Sequence, residues 1–153
     1  MYIERHIENI IEKTAETFSA VFVTGPRQVG KTTTFSHMNP KVPLISLDGI
    51  SEAAAANTDP KGFLNMNPWP VVIDEVQYAP NLFHYIKIEV DAAKSSGIYK
   101  PMYYLTGSQR YIMMQNLSES LAGRAGIVEM LGLSQREITE CKTSALLRQL
   151  LSM

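Results

Sequence analysis

The 153-residue chain is poor in cysteine, in histidine, in net charge and in long apolar runs. Its one cysteine, Cys141, cannot close an internal disulfide, so covalent cross-links hold no part of the fold. His6, His37 and His84 show no metal-ligand spacing among themselves or with Cys141, which argues against a zinc site. No apolar run approaches the roughly 20 residues needed to cross a bilayer. The start "MYIERHIENIIEK" also lacks the uncharged core of a signal peptide. These absences predict a soluble cytoplasmic protein with no membrane partner. The 14 Lys and Arg nearly cancel the 15 Asp and Glu, so there is no clear nucleic-acid footprint, although a local basic groove stays open.

What is present is apolar: 45% of the residues, enough for one core and too few for two ordinary domains. A single domain over residues 1–153 is therefore expected. Ile3, Ile7, Ile10, Ile11, Thr14 and Phe18 recur at steps of three or four, the stripe of an amphipathic leading helix. Val21 to Val23 read as a buried strand stopped by Gly25 and Pro26, and a helix from near Gly30 to about Met38 should follow. A second strand is predicted from about Leu44 to Leu47, then a short helix in "SEAAAAN" capped by Ser51. "PVVIDE" reads as a central parallel strand ending in two carboxylates. A helix should run from Pro80 to about Ser95, a fourth strand from about Met102 to Thr106, and a fifth through "GIVEML". "NLSESLAGR" between the last two reads as a short helix ending at Gly123. Ser134 with Glu137 forms a capping-box signature for a further helix. Strands alternating with helices predict βαβ units, hence an α/β fold with a mostly parallel five-stranded sheet covered on both faces and preceded by an N-terminal helix. Leu146, Leu147, Leu150 and Leu151 make an apolar stripe that stops at Met153 without a cap. That stripe reads as a truncated chain, an expressed fragment, or a surface for self-association or a protein partner.

The stretch "TGPRQVGKTT" carries the chemistry. Gly25 to Thr32 fits GxxxxGK followed by Ser or Thr, in the required order of strand, loop and helix. Backbone amides of Gly25, Pro26's neighbours Arg27, Gln28 and Val29, then Gly30, Lys31, Thr32 and Thr33 would cradle phosphates at the positive end of a helix. Proline itself has no amide hydrogen. Glycine would let the main chain come close to the phosphates. Lys31 would reach the β- and γ-phosphates, and the Thr32 hydroxyl would ligate Mg²⁺. Asp74, after Val71, Val72 and Ile73, would hold the metal shell. Glu75 would orient the attacking water or accept its proton, provided the chain bends there so that adjacent residues serve one site. Ser108, after the fourth strand, could place a hydroxyl between Glu75 and the γ-phosphate, with a plain turn residue as the alternative. Gln77 and Gln109 are amides that could position water or contact a neighbour, although a solvated or capping amide is the plainer reading. Arg124, flanked by glycines, and Arg110 are cations that could neutralise transition-state charge, in their own chain or a neighbour's, with a surface ion pair as the alternative. Arg27 could touch phosphate or solvent. Tyr103 and Tyr104 read as strand residues rather than a stacking platform.

With "GPRQVGKTT", "VVIDEVQ", "LTGSQ" and "SLAGRAG" in that order, the chain resembles the N-terminal ATPase domain of a group of prokaryotic AAA-type P-loop ATPases. The resemblance covers nearly the whole length, from the leading helix to "GLSQRE". It implies a P-loop NTPase three-layer sandwich of the AAA/RecA-like kind. The segments look like Walker A at Gly25 to Thr32, Walker B at Asp74 with Glu75, sensor 1 at Ser108, and a post-sensor arginine at Arg124. It also implies ATP and Mg²⁺, with hydrolysis to ADP and phosphate driving a conformational change. Adenine over guanine rests on this resemblance, since no Asn-Lys-x-Asp follows a strand. Members usually continue into a second C-terminal domain, whereas this chain stops at Met153. A nucleotide-gated interaction switch with little or no turnover is the alternative. A small-molecule kinase would need an acceptor pocket and an arginine-rich lid, and neither is clearly present.

Overall fold

In the structure, a computed structural model that describes residues 2–108 and 121–140, the β-branched runs pair into one sheet. Strands β1 (Ala20–Gly25), β2 (Leu44–Ser46), β3 (Val71–Asp74), β4 (Tyr103–Ser108) and β5 (Ala125–Glu129) lie in the order β2-β3-β4-β1-β5. Every pairing is parallel. Helix α1 (Ile7–Thr17) precedes β1. Parallel neighbours need crossovers, and among the described residues helices supply those from β1 to β4: α2 (Lys31–Met38), α3 (Ile50–Thr58), α4 (Pro60–Met66) and α5 (Leu82–Ser95).

The sheet is covered on both faces, which is why its central strands are apolar throughout rather than alternating. Ala20, Phe22, Val71, Ile73, Tyr103 and Leu105 point to one face, where they meet Leu64 of α4 and Leu82, Phe83, Ile86 and Val90 of α5. Val21, Val23, Val72 and Tyr104 point to the other, against Ile11 and Ala15 of α1 and Phe35 of α2. Fully burying a side chain such as Phe22 contributes on the order of 2 kcal/mol. The same period of two carries past the apolar runs. Asp74 continues the Val72 face, and Thr106 and Ser108 continue the Tyr104 face, so all three emerge on the α2 side.

Several local expectations shift. The leading helix begins at Ile7 and buries Ile11 and Ala15, while Ile10 is exposed. Ser51 does not cap α3; the helix starts one residue earlier after Gly49, and the Ser51 hydroxyl donates to Glu52. Helix α4 was unforeseen, although Asp59 accepts from the Gly62 amide and Pro60 takes the first helical position. A 3₁₀ turn, Val76–Tyr78, occupies the chain before α5, whose start moves from Pro80 to Leu82. The Ser134–Glu137 box is present: the Glu137 carboxylate accepts from the Ser134 amide and hydroxyl, and residues 135–140 are helical. Gln109, Arg110, Cys141, most of "NLSESLAGR" and the leucine stripe lie outside the described residues.

Candidate functional site

The C-terminal ends of β1, β3 and β4 converge beside the N-terminus of α2, the edge where open α/β sheets bind ligands. Gly30 precedes α2 with a left-handed φ of 93°, and no side chain caps the helix. Its first amides therefore face the loop without an internal acceptor from a capping group. Gly25 also has a role in packing. A Cβ there would lie 2.0 Å from the Met130 carbonyl oxygen, so this glycine admits the chain leaving β5. The Met130 amide in turn donates to the Thr24 carbonyl at 2.7 Å.

Lys31 is 6% exposed and folds back along the loop. Its ammonium donates to the Pro26 carbonyl at 2.8 Å and the Gly25 carbonyl at 3.2 Å. Among the described residues no carboxylate pairs with it. A buried cation satisfied only by carbonyl dipoles is a strong attractor of anions. Pro26, Arg27, Gln28 and Thr33 are exposed, and Val29 and Gly30 are half-buried. Gln28 also takes a positive φ, 63°.

Thr32 joins the loop to the acidic strand end: its hydroxyl donates to Asp74 Oδ2 at 3.0 Å. The other Asp74 oxygen accepts from the Thr106 hydroxyl. Thr106 Oγ1 then accepts from the Glu75 amide at 3.2 Å. One hydroxyl on the central strand thus fixes both acids. Glu75 adopts a left-handed conformation, φ 56° and ψ 43°, which is the bend that lets neighbouring acids face one site. Its carboxylate accepts from Gln77 Nε2, and the same nitrogen donates to Ser108 Oγ at 3.3 Å. Ser108 is buried and sits in register with Gly25, at the mouth of the loop.

The structure thus brings Lys31, Thr32, Asp74, Glu75 and Ser108 to one cluster. It does not bring Arg124 there. Ala125 pairs with Ala20 at the start of β1, so Arg124 stands at the opposite edge of the sheet. Ala20 is five residue steps from Gly25, so Ala125 lies roughly 16 Å along the strand from the loop and Arg124 one residue further. Its guanidinium grips Asp91 of α5 with two bonds, 2.6 and 2.9 Å, and that contact holds the Asp91 carboxyl below the usual carboxylate range. Glycine neighbours suggested an exposed loop, but the register that set its place is not a local property.

Two contributors, Thr106 and Arg5, were missed, and Gln77 was underweighted. Thr106 shows only as a strand residue two before Ser108, on the same face. Gln77, for which contact with a neighbour was the lesser of two readings, contacts Glu75 and Ser108. Arg5 is 7% exposed and donates to the Val29 carbonyl at 3.0 Å, the Leu131 carbonyl at 2.8 Å and Glu137 at 3.1 Å. It ties the phosphate-type loop to the segment after β5. Burial would push the Glu137 carboxyl up, but the amides of Ser134 and His6, the Ser134 hydroxyl and Arg5 outweigh it and bring the pKa down to about 2.

The donors fit a hard cation. A threonine hydroxyl and a carboxylate oxygen stand 3.0 Å apart, an all-oxygen pair of the kind Mg²⁺ takes alongside substrate phosphates. Among the described residues no three His, Cys, Asp or Glu side chains converge as a cage for a metal alone. No described helix is long and apolar enough to cross a membrane.

An all-parallel sheet, a glycine-bounded loop feeding a helix, and an acid at the end of a strand beyond the neighbouring one define a P-loop nucleotide-binding class of α/β protein. The family model for the AAA domain matches residues 17–139, and the chain belongs to that AAA-type P-loop ATPase family. Two curated relatives, uncharacterized proteins of Mycobacterium bovis and Mycobacterium tuberculosis, are each 33% identical over 119 residues. The match covers 77% of this chain and 26% of each relative, so the chain spans about a quarter of their length.

Proposed function

We propose that the chain is an Mg²⁺-dependent ATPase module that hydrolyses ATP to ADP and phosphate and uses the cycle to change conformation. The observation that carries this reading is Lys31: a buried ammonium held, among the described residues, only by the carbonyls of its own loop, beside an uncapped helix start. Lys31 swings from those carbonyls to the terminal phosphates, and the loop amides take the rest of the chain of phosphates. Thr32 and Asp74 would hold Mg²⁺, which would supply positive charge to offset that of the phosphates. Glu75 orients the attacking water and takes its proton, and the Ser108 hydroxyl donates toward the γ-phosphate.

One observation favours a second reading. Arg124 is engaged with Asp91 at the far edge, so among the described residues no arginine after the fourth strand reaches the cluster. A nucleotide-gated switch with slow turnover fits that arrangement, with the module closing on a partner while ATP is bound.

Phosphate release with ATP as the only substrate, measured with and without Mg²⁺, tests the proposal. Metal-dependent release is expected. Glu75→Gln should bind ATP as the parent does while release falls by about 100-fold or more. Unchanged turnover in that variant would remove Glu75 from the mechanism. A parent that binds ATP but barely releases phosphate is the switch.

A further inference from the structure

Gln77 follows Glu75 by two residues. In an extended strand the two would project roughly 6–7 Å apart. Here the left-handed Glu75 and the 3₁₀ turn Val76–Tyr78 fold the amide back onto the acid. A carboxylate only accepts hydrogen bonds, so the amide nitrogen must be the atom that faces Glu75, and this settles which way the whole amide points. The second hydrogen of that nitrogen goes to Ser108 Oγ at 3.3 Å. Because the Ser108 oxygen accepts there, its own hydrogen is left to be donated elsewhere. The amide oxygen, Gln77 Oε1, is buried and has no protein donor among the described residues. A buried acceptor is costly without a donor, and beside a carboxylate in a polar site water is the donor of the right size.

Resting on the ATPase reading above, we propose that Gln77 is a positioning residue for hydrolysis: its NH₂ group locks Glu75 and Ser108 in register with each other, and its oxygen completes the seat of the attacking water. In the step itself the water oxygen forms a bond to the γ-phosphorus while the bond from that phosphorus to the β–γ bridging oxygen breaks, and ADP leaves with the bonding pair. One water proton passes to the Glu75 carboxylate and from there to solvent. Gln77 gains and loses no proton; it exchanges hydrogen bonds only.

The test is Gln77→Met, close in size without the amide, in the 153-residue chain, alone and combined with Glu75→Gln. The kcat for phosphate release should fall about 10- to 100-fold, the lower part of the range for a positioned group. The Kd for ATP with Mg²⁺ by calorimetry should stay within about twofold of the parent, because Gln77 touches neither the loop nor the metal ligands. The double variant should release phosphate no more slowly than Glu75→Gln alone, since Gln77 acts through that acid. If Gln77→Met does not fold, Gln77→Glu supplies the same reading: it keeps the shape and loses the donors, and it too should lose kcat with binding retained. An unchanged kcat overturns the inference, as does a faster one, which would make the amide a brake on Glu75. Losses that multiply in the double variant also overturn it. A parent that releases no phosphate fails at the earlier reading, on which this one depends, whereas a parent that turns over with Gln77→Met at equal speed sinks this inference alone.

Discussion

The two edges of the sheet both carry a cation, and they treat it in opposite ways. At the amino-terminal edge Arg124 is partly exposed and paired with Asp91 through two bonds, with a third to the Ala122 carbonyl. At the carboxyl-terminal edge Lys31 is almost fully buried and, among the described residues, its ammonium meets only carbonyl oxygens. A charge already matched by a counter-charge has little left to offer a ligand, whereas a charge taken from water and left without an anion does. Distance from the loop and state of pairing, rather than residue type, separate the two.

That contrast breaks first at Lys31. Lys31→Ala should lower affinity for ATP with Mg²⁺ by about 100-fold, the size expected when a desolvated charge contact is removed. Equal binding by variant and parent in calorimetry would count against the whole assignment. Thr106→Val keeps the shape and deletes the hydroxyl shared by Asp74 and the Glu75 amide, leaving both short of a partner. A loss of about 1–3 kcal/mol in urea unfolding is expected, together with slower phosphate release. Unaltered values in both would show that the acids are held by other means.

The contrast sharpens at Glu137, an acid that is buried and matched at once. Its folded-state pKa lies near 2, below the ordinary 4.5, so the contribution is fully present above the higher value and is lost as pH falls through the lower one. Stability should therefore decline between about pH 5 and pH 2, with Glu137 supplying on the order of 2 kcal/mol of the change. Urea midpoints of Glu137→Gln against the parent across that window should converge toward its acid end. Parallel curves would remove Glu137 from the account. The smallest effect belongs to Arg124→Ala: ATP binding and turnover in the isolated chain should match the parent, with a small drop in thermal midpoint. A large fall in turnover would mean that Arg124 acts on the site of a neighbouring copy.

The parts legible in the sequence are those whose meaning is local. The loop, its lysine and threonine, the acidic end of "VVID" and the alternation of strands with helices follow from spacing and period, and the parallel five-stranded sheet agrees with them. The left-handed bend at Glu75 was required by the idea that two adjacent acids serve one site, and it is there. Helix α4 had its signal, Asp59 followed by Pro60, and went unread. What no local pattern could carry is register. Thr106 matters because β4 lies between β1 and β3, and Gln77 because a tight turn reverses it onto Glu75. Arg5 matters because the first residues return to meet the chain beyond β5. Arg124 was drawn to the site by its place in a family pattern, and the pairing of Ala20 with Ala125 puts it elsewhere.

The missing side chain at Gly25 has a practical consequence for anyone transplanting this motif. The space a Cβ would fill is taken by the Met130 carbonyl, and the Val29 carbonyl is pinned by Arg5. Eight consecutive letters copied into another scaffold would arrive without the two distant backbone and side-chain props that shape them. A working graft must carry three pieces of chain, the first few residues, the loop itself and the exit from β5, as a single three-dimensional part.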